Sequence, residues 1–195
     1  NEFVIEGELK RAYDAWPFGQ PAERNVLEAI VAGKTTKQAC KTIETQMKKL
    51  WVNALQSQLF NEVLKRRLID GSWNTLILGD IAWKHDGGGR TFEVTSEILE
   101  DTALQERIDS IALSPSGPLW GLKMRMPTHE VLAKELSVRA LFDLHDSHLE
   151  TMRKYAEGAR RPLRVKCTEP MSCNSKDDYG NFIELRFTLP AGSYA

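Results

Sequence analysis

The sequence contains few cysteines, no long apolar segment and almost no net charge. Its three cysteines, Cys40, Cys167 and Cys173, are an odd set whose spacing fits neither a zinc motif nor the disulfide framework of a secreted protein. No run approaches the roughly 18 apolar residues of a membrane span, and no secretory signal opens the sequence. We therefore expect reduced thiols in a soluble cytoplasmic protein.

The positive and negative charges nearly cancel. Lysine and arginine number 26, aspartate and glutamate number 27, and the formal net charge is −1. The chain as a whole therefore does not attract a polyanion, and any nucleic-acid site has to come from a local cluster of basic residues. With 42% hydrophobic residues among 195, the chain is long enough to bury one or two globular cores.

Apolar residues recur at helical spacing over much of the chain. Gly33 is placed to end one helix, Thr35 or Thr36 to cap a long amphipathic one, and Thr128 to cap another. The periodicity predicts helices over residues 3–16, 22–32, 36–68 and 129–157.

Extended segments are predicted in the middle and at the end. Two β-prone runs flank the stretch 86–89, "DGGG", whose glycines suit the positive φ angles of a hairpin turn. Thr102 and Gln105 have capping-box spacing ahead of "ERIDSIAL", a helix that is predicted to end at "SPSGP". "LRVKC" and "FIELRFTL" are predicted strands, the second half-buried because its apolar residues alternate with polar ones. The expected fold class is α+β.

Several apparent sites fail when their spacing is checked. "HDGGGR" lacks the arrangement of a phosphate loop, and "HEVLA" has Ala133 where a zinc-protease helix needs its second histidine. His145 and His148 lack a third ligand, so we assign them surface or capping roles. Asp177-Asp178 is interpreted as a turn before a strand. We expect no metal site.

A basic cluster near the end is harder to dismiss. It holds only one acid, Glu157, and its guanidinium groups suit bidentate contact with phosphate. A solvated helix end, whose cations offset the helix dipole, is an equally good interpretation of the composition. The cluster consists of Arg153, Lys154, Arg160, Arg161, Arg164 and Lys166.

Five stretches carry a resemblance to a known family. "LWVNALQSQLFNEVLKRRL", "ILGD" before the glycine hairpin, "ALSPSGPLWG", "EGARRPLRVKC" and "IELRFTLPAGSYA" occur in the order and approximate spacing of the TruD family of tRNA pseudouridine synthases. The resemblance spans essentially the whole chain. It implies a pseudouridine synthase catalytic domain and a mostly helical insertion, with RNA held between them.

The resemblance also implies a division of the chain. Residues 1–43 are similar to the helical segment that leaves the catalytic domain, and 44–158 to the insertion domain with its small β-hairpin. Residues 159–195 resemble the return to the catalytic domain, with two strands of an incomplete sheet. Exposed edges of these strands would favour self-association.

Members of this family isomerise a specific uridine in tRNA to pseudouridine without cofactor or metal. Their proposed nucleophile is an aspartate in a Gly-x-Lys-Asp motif, and the nearest match here, "GLKMRM", has Met124 at the position of the acid. The resemblance therefore implies a tRNA-binding fragment of a longer enzyme, inactive by itself. The alternative is a non-catalytic RNA-binding module.

The resemblance assigns substrate-binding roles to five residues. Tyr194 matches an aromatic ring placed against the active site, and Gly192 and Ser193 shape that junction. Arg160 and Arg161 match a basic pair, which either binds the RNA backbone or pairs with internal acids. No residue of this chain is expected to be catalytic.

Four further matches are given structural roles. Ser57 and Asn61 belong to the "SxLFN" motif of the long helix, where we favour a structural role for both. Trp120 and Gly121 are expected to form a packing corner.

Overall fold

A computed structural model describes residues 2–190 and 193, and its fold is α+β. The α-helices are α1 Glu2–Ile5, α2 Leu9–Ala15, α3 Pro21–Val31, α4 Thr36–Ala39, α5 Thr45–Ile69, α6 Ser96–Leu99, α7 Leu104–Asp109, α8 His129–Leu141 and α9 Asp146–Met152. The strands are β1 Ile81–Lys84, β2 Arg90–Glu93, β3 Leu113–Leu119, β4 Ala159–Pro162, β5 Thr168–Asp177 and β6 Gly180–Thr188.

The chain forms two compact units, and their boundary lies inside α5. The first contains the residues up to Leu55 together with 154–156. Its small core includes Ala12, Leu27 and Ala39. Arg24 of α3 holds the end of α2 in place, because the Nη1 of Arg24 donates to the carbonyl oxygens of Tyr13 at 2.9 Å and Trp16 at 3.0 Å.

The second unit contains residues 56–153 and 157–195. Four antiparallel strands form a sheet in the order β2-β1-β3-β4, and β5 and β6 pair with each other as a separate two-stranded ribbon. One hydrophobic core packs on the sheet and consists of Leu76, Ala82, Val94, Leu104, Ile108 and Leu113. The division into insertion and catalytic domains stays a prediction.

The long helices are more broken than their periodicity predicts. The predicted helix 36–68 is interrupted at Ile43, whose backbone is extended, and the Thr42 hydroxyl bonds back to the carbonyl of Ala39 at 2.7 Å. Such a local bond competes with helix propagation. The predicted helix 3–16 breaks at Gly7, which has a φ of 77°.

The predicted helix 129–157 is also wrong, because Asp143 takes a φ of 49° and separates α8 from α9. The backbone N–H of His145 then donates to Nδ1 of His148 at 3.1 Å at the start of α9. Of the surface or capping roles predicted for the two histidines, the structure shows a capping bond for the side chain of His148. Thr128 precedes α8 without a side-chain capping bond.

Two sequence predictions, one of a helix end and one of a strand, are corrected by the sheet. "SPSGP" does not simply end a helix, because its residues form most of the buried strand β3. The strand near "LRVKC" lies earlier, at β4, and the backbone N–H of Leu163 then donates to the carbonyl of Pro115 at 2.9 Å. The strand β3 was not predicted because it contains two prolines, and proline normally indicates a turn.

Both predicted turns are confirmed. Gly88 and Gly89 take φ angles of 69° and 79° between β1 and β2, and Asp177 Oδ1 accepts the N–H groups of Tyr179 at 2.8 Å and Gly180 at 3.1 Å. The half-buried interpretation of β6 is wrong within the described chain, because Ile183 is 69% exposed.

Buried contacts fix the start of the sheet. Asp80 of the "ILGD" stretch is fully buried and accepts a bidentate pair from Arg67 of α5 at 2.9 and 3.0 Å. Arg67 also donates to the carbonyls of Ser72 and Thr75. Because these bonds satisfy both charges, they hold the end of α5 against the loop that leads into β1.

The predicted packing corner is confirmed. Trp120 is 1% exposed, and its carbonyl accepts a hydrogen bond from Gln56 Nε2 at 2.7 Å. A Cβ on Gly121 would lie 2.4 Å from the backbone nitrogen of Gly158, so only glycine permits this approach. Among the helices of the described residues, none is long and apolar enough to span a membrane.

Candidate nucleic-acid interface

An open groove of about 500 Å³ lies within the second unit, beside β4. No aspartate or glutamate is among the described residues that line it, whereas three arginines and two large aromatic rings are. The lining consists of Phe60, Asn61, Leu64, Trp83, His85, Leu119, the stretch 160–165, Pro190 and Ser193. The groove therefore offers aromatic surface and positive charge together.

Arg160 is not available to a ligand in the groove, because it is consumed by a buried ion pair. Its guanidinium donates to both carboxylate oxygens of Glu135 on α8, at 2.7 and 2.9 Å, and each side chain is only 2% exposed. It also donates to the hydroxyl and the carbonyl of Ser116 on β3. Of the two alternatives for Arg160, the structure shows pairing with an internal acid.

Burial is the largest influence on Glu135 and raises the pKa of its carboxyl above the ordinary value, while the hydrogen bonds from Arg160 oppose that rise. Removing one charge of such a pair is costly, since the other is left buried without a partner. The pair thus ties α8 to β3 and β4.

Arg161, the next residue, has the opposite environment. Register pairs it with Gly117 of β3, and a Cβ on Gly117 would lie 2.9 Å from the ring of Phe60. The glycine therefore lets the Phe60 ring approach, and the Arg161 guanidinium lies 5.2 Å from the centre of that ring. Within residues 2–190 and 193, no hydrogen bond or ion pair engages the Arg161 side chain.

Arg164 supplies a second positive charge to the groove. Its Nη2 donates to the carbonyl oxygens of Ile108 and Leu113, so two neutral backbone groups fix the guanidinium. Burial lowers the pKa of Arg164 from its usual value, and the charge of Asp109 partly opposes this. An arginine stays protonated at neutral pH despite such a shift.

His85 and Trp83 come from the end of β1. His85 Nε2 lies 2.6 Å from the hydroxyl of Ser114. Burial, and then the positive charge of Arg164, lower the pKa of His85 from its usual value, which favours the neutral form of the ring. A neutral imidazole offers one donor and one acceptor. Trp83 is half-buried, with its ring packed against Gly89.

The residues predicted from the sequence are only partly brought together here. Ser193 lines the groove beside Arg161, whereas Gly192 and Tyr194 lie outside the described residues. Asn61, given a structural role above, is exposed on the groove wall. Sequence reasoning missed Trp83 and His85, and the only available signal was their place next to the glycine hairpin.

The arrangement suits recognition more than bond-breaking chemistry. Arginine binds phosphate oxygens, aromatic rings stack on bases, and amide and imidazole groups bond to base edges. In the described part of the chain, no group of three or more His, Cys, Asp or Glu side chains is placed to hold a metal ion.

The fold has a solved counterpart. A crystal structure of a putative tRNA pseudouridine synthase D from Methanosarcina mazei superposes with a TM-score of 0.76 at 21% identity, covering 96% of this chain and 45% of that one. The chain therefore shares the α+β fold of the matching part of that structure.

Comparisons of sequence show the family to which the chain belongs. A model of the tRNA pseudouridine synthase D (TruD) family matches residues 1–195. Proteins named tRNA pseudouridine synthase D are 34% identical in Syntrophotalea carbinolica, over 97% of this chain, and 35% identical in Geobacter sulfurreducens, over all of it. The chain belongs to the TruD family, and it spans 45% of the length of each of these relatives.

The two adjacent arginines should differ sharply in their contribution to stability. We expect Arg160→Ala to lower the free energy of unfolding by about 3–5 kcal/mol, because Glu135 would lose its buried partner. Arg161→Ala should cost less than about 1 kcal/mol, since it removes a contact between a half-buried guanidinium and an aromatic ring but leaves no buried charge without a partner. Urea unfolding followed by circular dichroism measures both, and equal losses would contradict the assignment.

Proposed function

We propose that this chain is the RNA-binding part of a cytoplasmic tRNA pseudouridine synthase, which isomerises a specific uridine in tRNA. Membership of the TruD family supports the reaction, and the 45% coverage of the relatives supports a longer whole protein. The reaction breaks and remakes a glycosidic bond on a base that has left its stack.

One observation carries the proposal: the groove is lined by arginines and aromatic rings, with no acid among its described lining residues. Arg160 is neutralised by Glu135, but Arg161 and Arg164 have no hydrogen-bonded carboxylate in the described chain. An RNA phosphate would supply that missing negative charge. The near-zero net charge of the chain does not prevent this, because attraction acts locally.

Ser193 connects the groove to the expected site of reaction. It lines the groove at its β6 side together with Pro190, and it precedes Tyr194, the residue that the family resemblance assigns to the base. We propose that Tyr194 stacks on the target uridine, that Gly192 and Ser193 position it, and that Arg161 binds the neighbouring backbone. Arg160 acts through Glu135 by holding β4 in place.

The nucleophile of the reaction is proposed to lie outside these residues. No Gly-x-Lys-Asp occurs in the 195 residues, and none of the lining residues described for the groove is an acid. The chain alone would then bind tRNA without turning it over.

A pseudouridine assay on tRNA transcripts tests this directly. The chain alone should bind tRNA, with affinity that falls steeply as salt rises, and form no pseudouridine. A version extended upstream through a Gly-x-Lys-Asp motif should turn over, and replacing that aspartate by asparagine should abolish turnover while binding persists. Pseudouridine formed by the chain alone would overturn the missing-nucleophile account.

A matched pair of variants controls for the groove. Arg161→Ala should weaken tRNA binding and make it less sensitive to salt, because one phosphate contact is lost. Lys123→Ala, which removes an exposed cation 2.6 Å from Glu157 and outside the groove, should leave binding unchanged.

If the extended protein does not turn over either, a non-catalytic RNA-binding module accounts for the chain.

We also propose self-association of the isolated chain. The ribbon of β5 and β6 exposes Ile183, Leu185 and Met171 by 64–69%, and exposed apolar strands attract further copies. Light scattering should show dimers or larger species whose proportion rises with concentration. Ile183→Lys with Leu185→Lys should restore a monomer, and a wild-type monomer at high concentration would refute the proposal.

A further inference from the structure

We infer that the groove holds an unpaired nucleotide, with its base stacked on the indole of Trp83 and its phosphate on Arg161. The inference rests on the proposed RNA binding and adds the form of RNA and the residue that selects it. It concerns a different ring from Tyr194, and so a contact other than the one proposed for the reacting uridine.

Trp83 is a rigid platform. It lies on β1, in register with Thr91 of β2 and Ser114 of β3, so strands on both sides fix its backbone. Its ring is backed by Gly89, where an added Cβ would lie 2.7 Å from Cζ2. Because Gly89 has a φ of 79° and no side chain, the ring sits directly against the turn. Little side-chain freedom remains to be lost when a base stacks.

Two polar side chains that line the same groove can bond to the edges of a base. Asn61 is exposed on the groove wall and carries two donors and an acceptor in its amide. His85 Nε2 is engaged by the hydroxyl of Ser114 at 2.6 Å, which leaves Nδ1 of the ring to donate to or accept from a ligand. A purely apolar ligand would give the amide of Asn61 no hydrogen-bond partner.

The charge pattern adds the phosphate. Arg161 is fixed over Phe60 at 5.2 Å and lines the same groove as Trp83. In the described chain no carboxylate engages Arg161, so a negatively charged group of a ligand could pair with its guanidinium. A ring next to an arginine is the combination that proteins use to bind single-stranded nucleic acid.

An unpaired nucleotide fits these features better than a duplex. In a helix, the face of each base is covered by its stacked neighbours, so the indole of Trp83 could not reach it. Only a base splayed from its stack presents a free face and a free edge to the ring and to Asn61.

Fluorescence anisotropy with a labelled single-stranded RNA octamer and with the duplex of the same sequence tests the inference. The single strand should bind more tightly. Trp83→Leu, which keeps apolar volume but removes the aromatic face, should weaken single-strand binding about 5- to 150-fold, the loss that corresponds to one stacked base. Trp83→Phe should retain most of the affinity, which also controls for folding. Trp73→Ala, outside the groove, should have no effect.

The outcomes separate this inference from the proposed function. RNA binding that Arg161→Ala weakens but Trp83→Leu leaves unchanged would overturn the stacking role and retain the RNA groove. Equal affinity for the single strand and the duplex would overturn the choice of an unpaired nucleotide. The absence of binding to tRNA and to both oligonucleotides would overturn the inference and the proposed function together.

Discussion

The structure of the second unit depends on the buried pair between Arg160 and Glu135. It connects α8, β3 and β4 through one guanidinium whose bonds end on a carboxylate, a hydroxyl and a backbone carbonyl. Burying two charges carries a large desolvation cost, which is offset only where the geometry is bidentate and further bonds are made. Both conditions hold at this site. The Arg67–Asp80 pair meets the same conditions where α5 joins the loop before β1.

The position of the candidate surface follows from that constraint. Since successive side chains of a strand point to opposite sides, fixing Arg160 towards Glu135 directs Arg161 away from it and over Phe60. Gly117, its register partner, leaves room for that ring. The two adjacent arginines therefore have different roles. Arg160 holds the strand in place, and Arg161 carries a charge that is available to a ligand. The basic pair of the family resemblance is in this sense half structural.

Local sequence signals predicted the parts of the fold that local chemistry decides. The glycine hairpin at 86–89, the Asp177 turn and the Gly121 corner were predicted because each needs a particular residue type at one place. The breaks at Ile43 and Asp143 were missed because the apolar period continues through them. The strand formed by "SPSGP" was missed because its two prolines predict a turn, whereas the sheet accommodates them.

In the candidate site, too, local sequence signals predicted some residues and missed others. Arg161 and Ser193 could be predicted because they stand in recognisable stretches of sequence. Trp83, His85 and Asn61 are far apart along the chain, and only the sheet and α5 bring them to one groove. Composition could not decide between a phosphate contact and an internal partner for Arg160, since the deciding residue, Glu135, lies 25 positions away.

We propose that this groove is the RNA-binding surface of the chain. Zero-length ultraviolet crosslinking of tRNA, followed by mapping of the crosslinked peptides by mass spectrometry, tests it most directly. We expect crosslinks at Trp83 and within residues 159–165. Crosslinks confined to the β5 and β6 ribbon or to residues 2–55, with none in the groove, would contradict it.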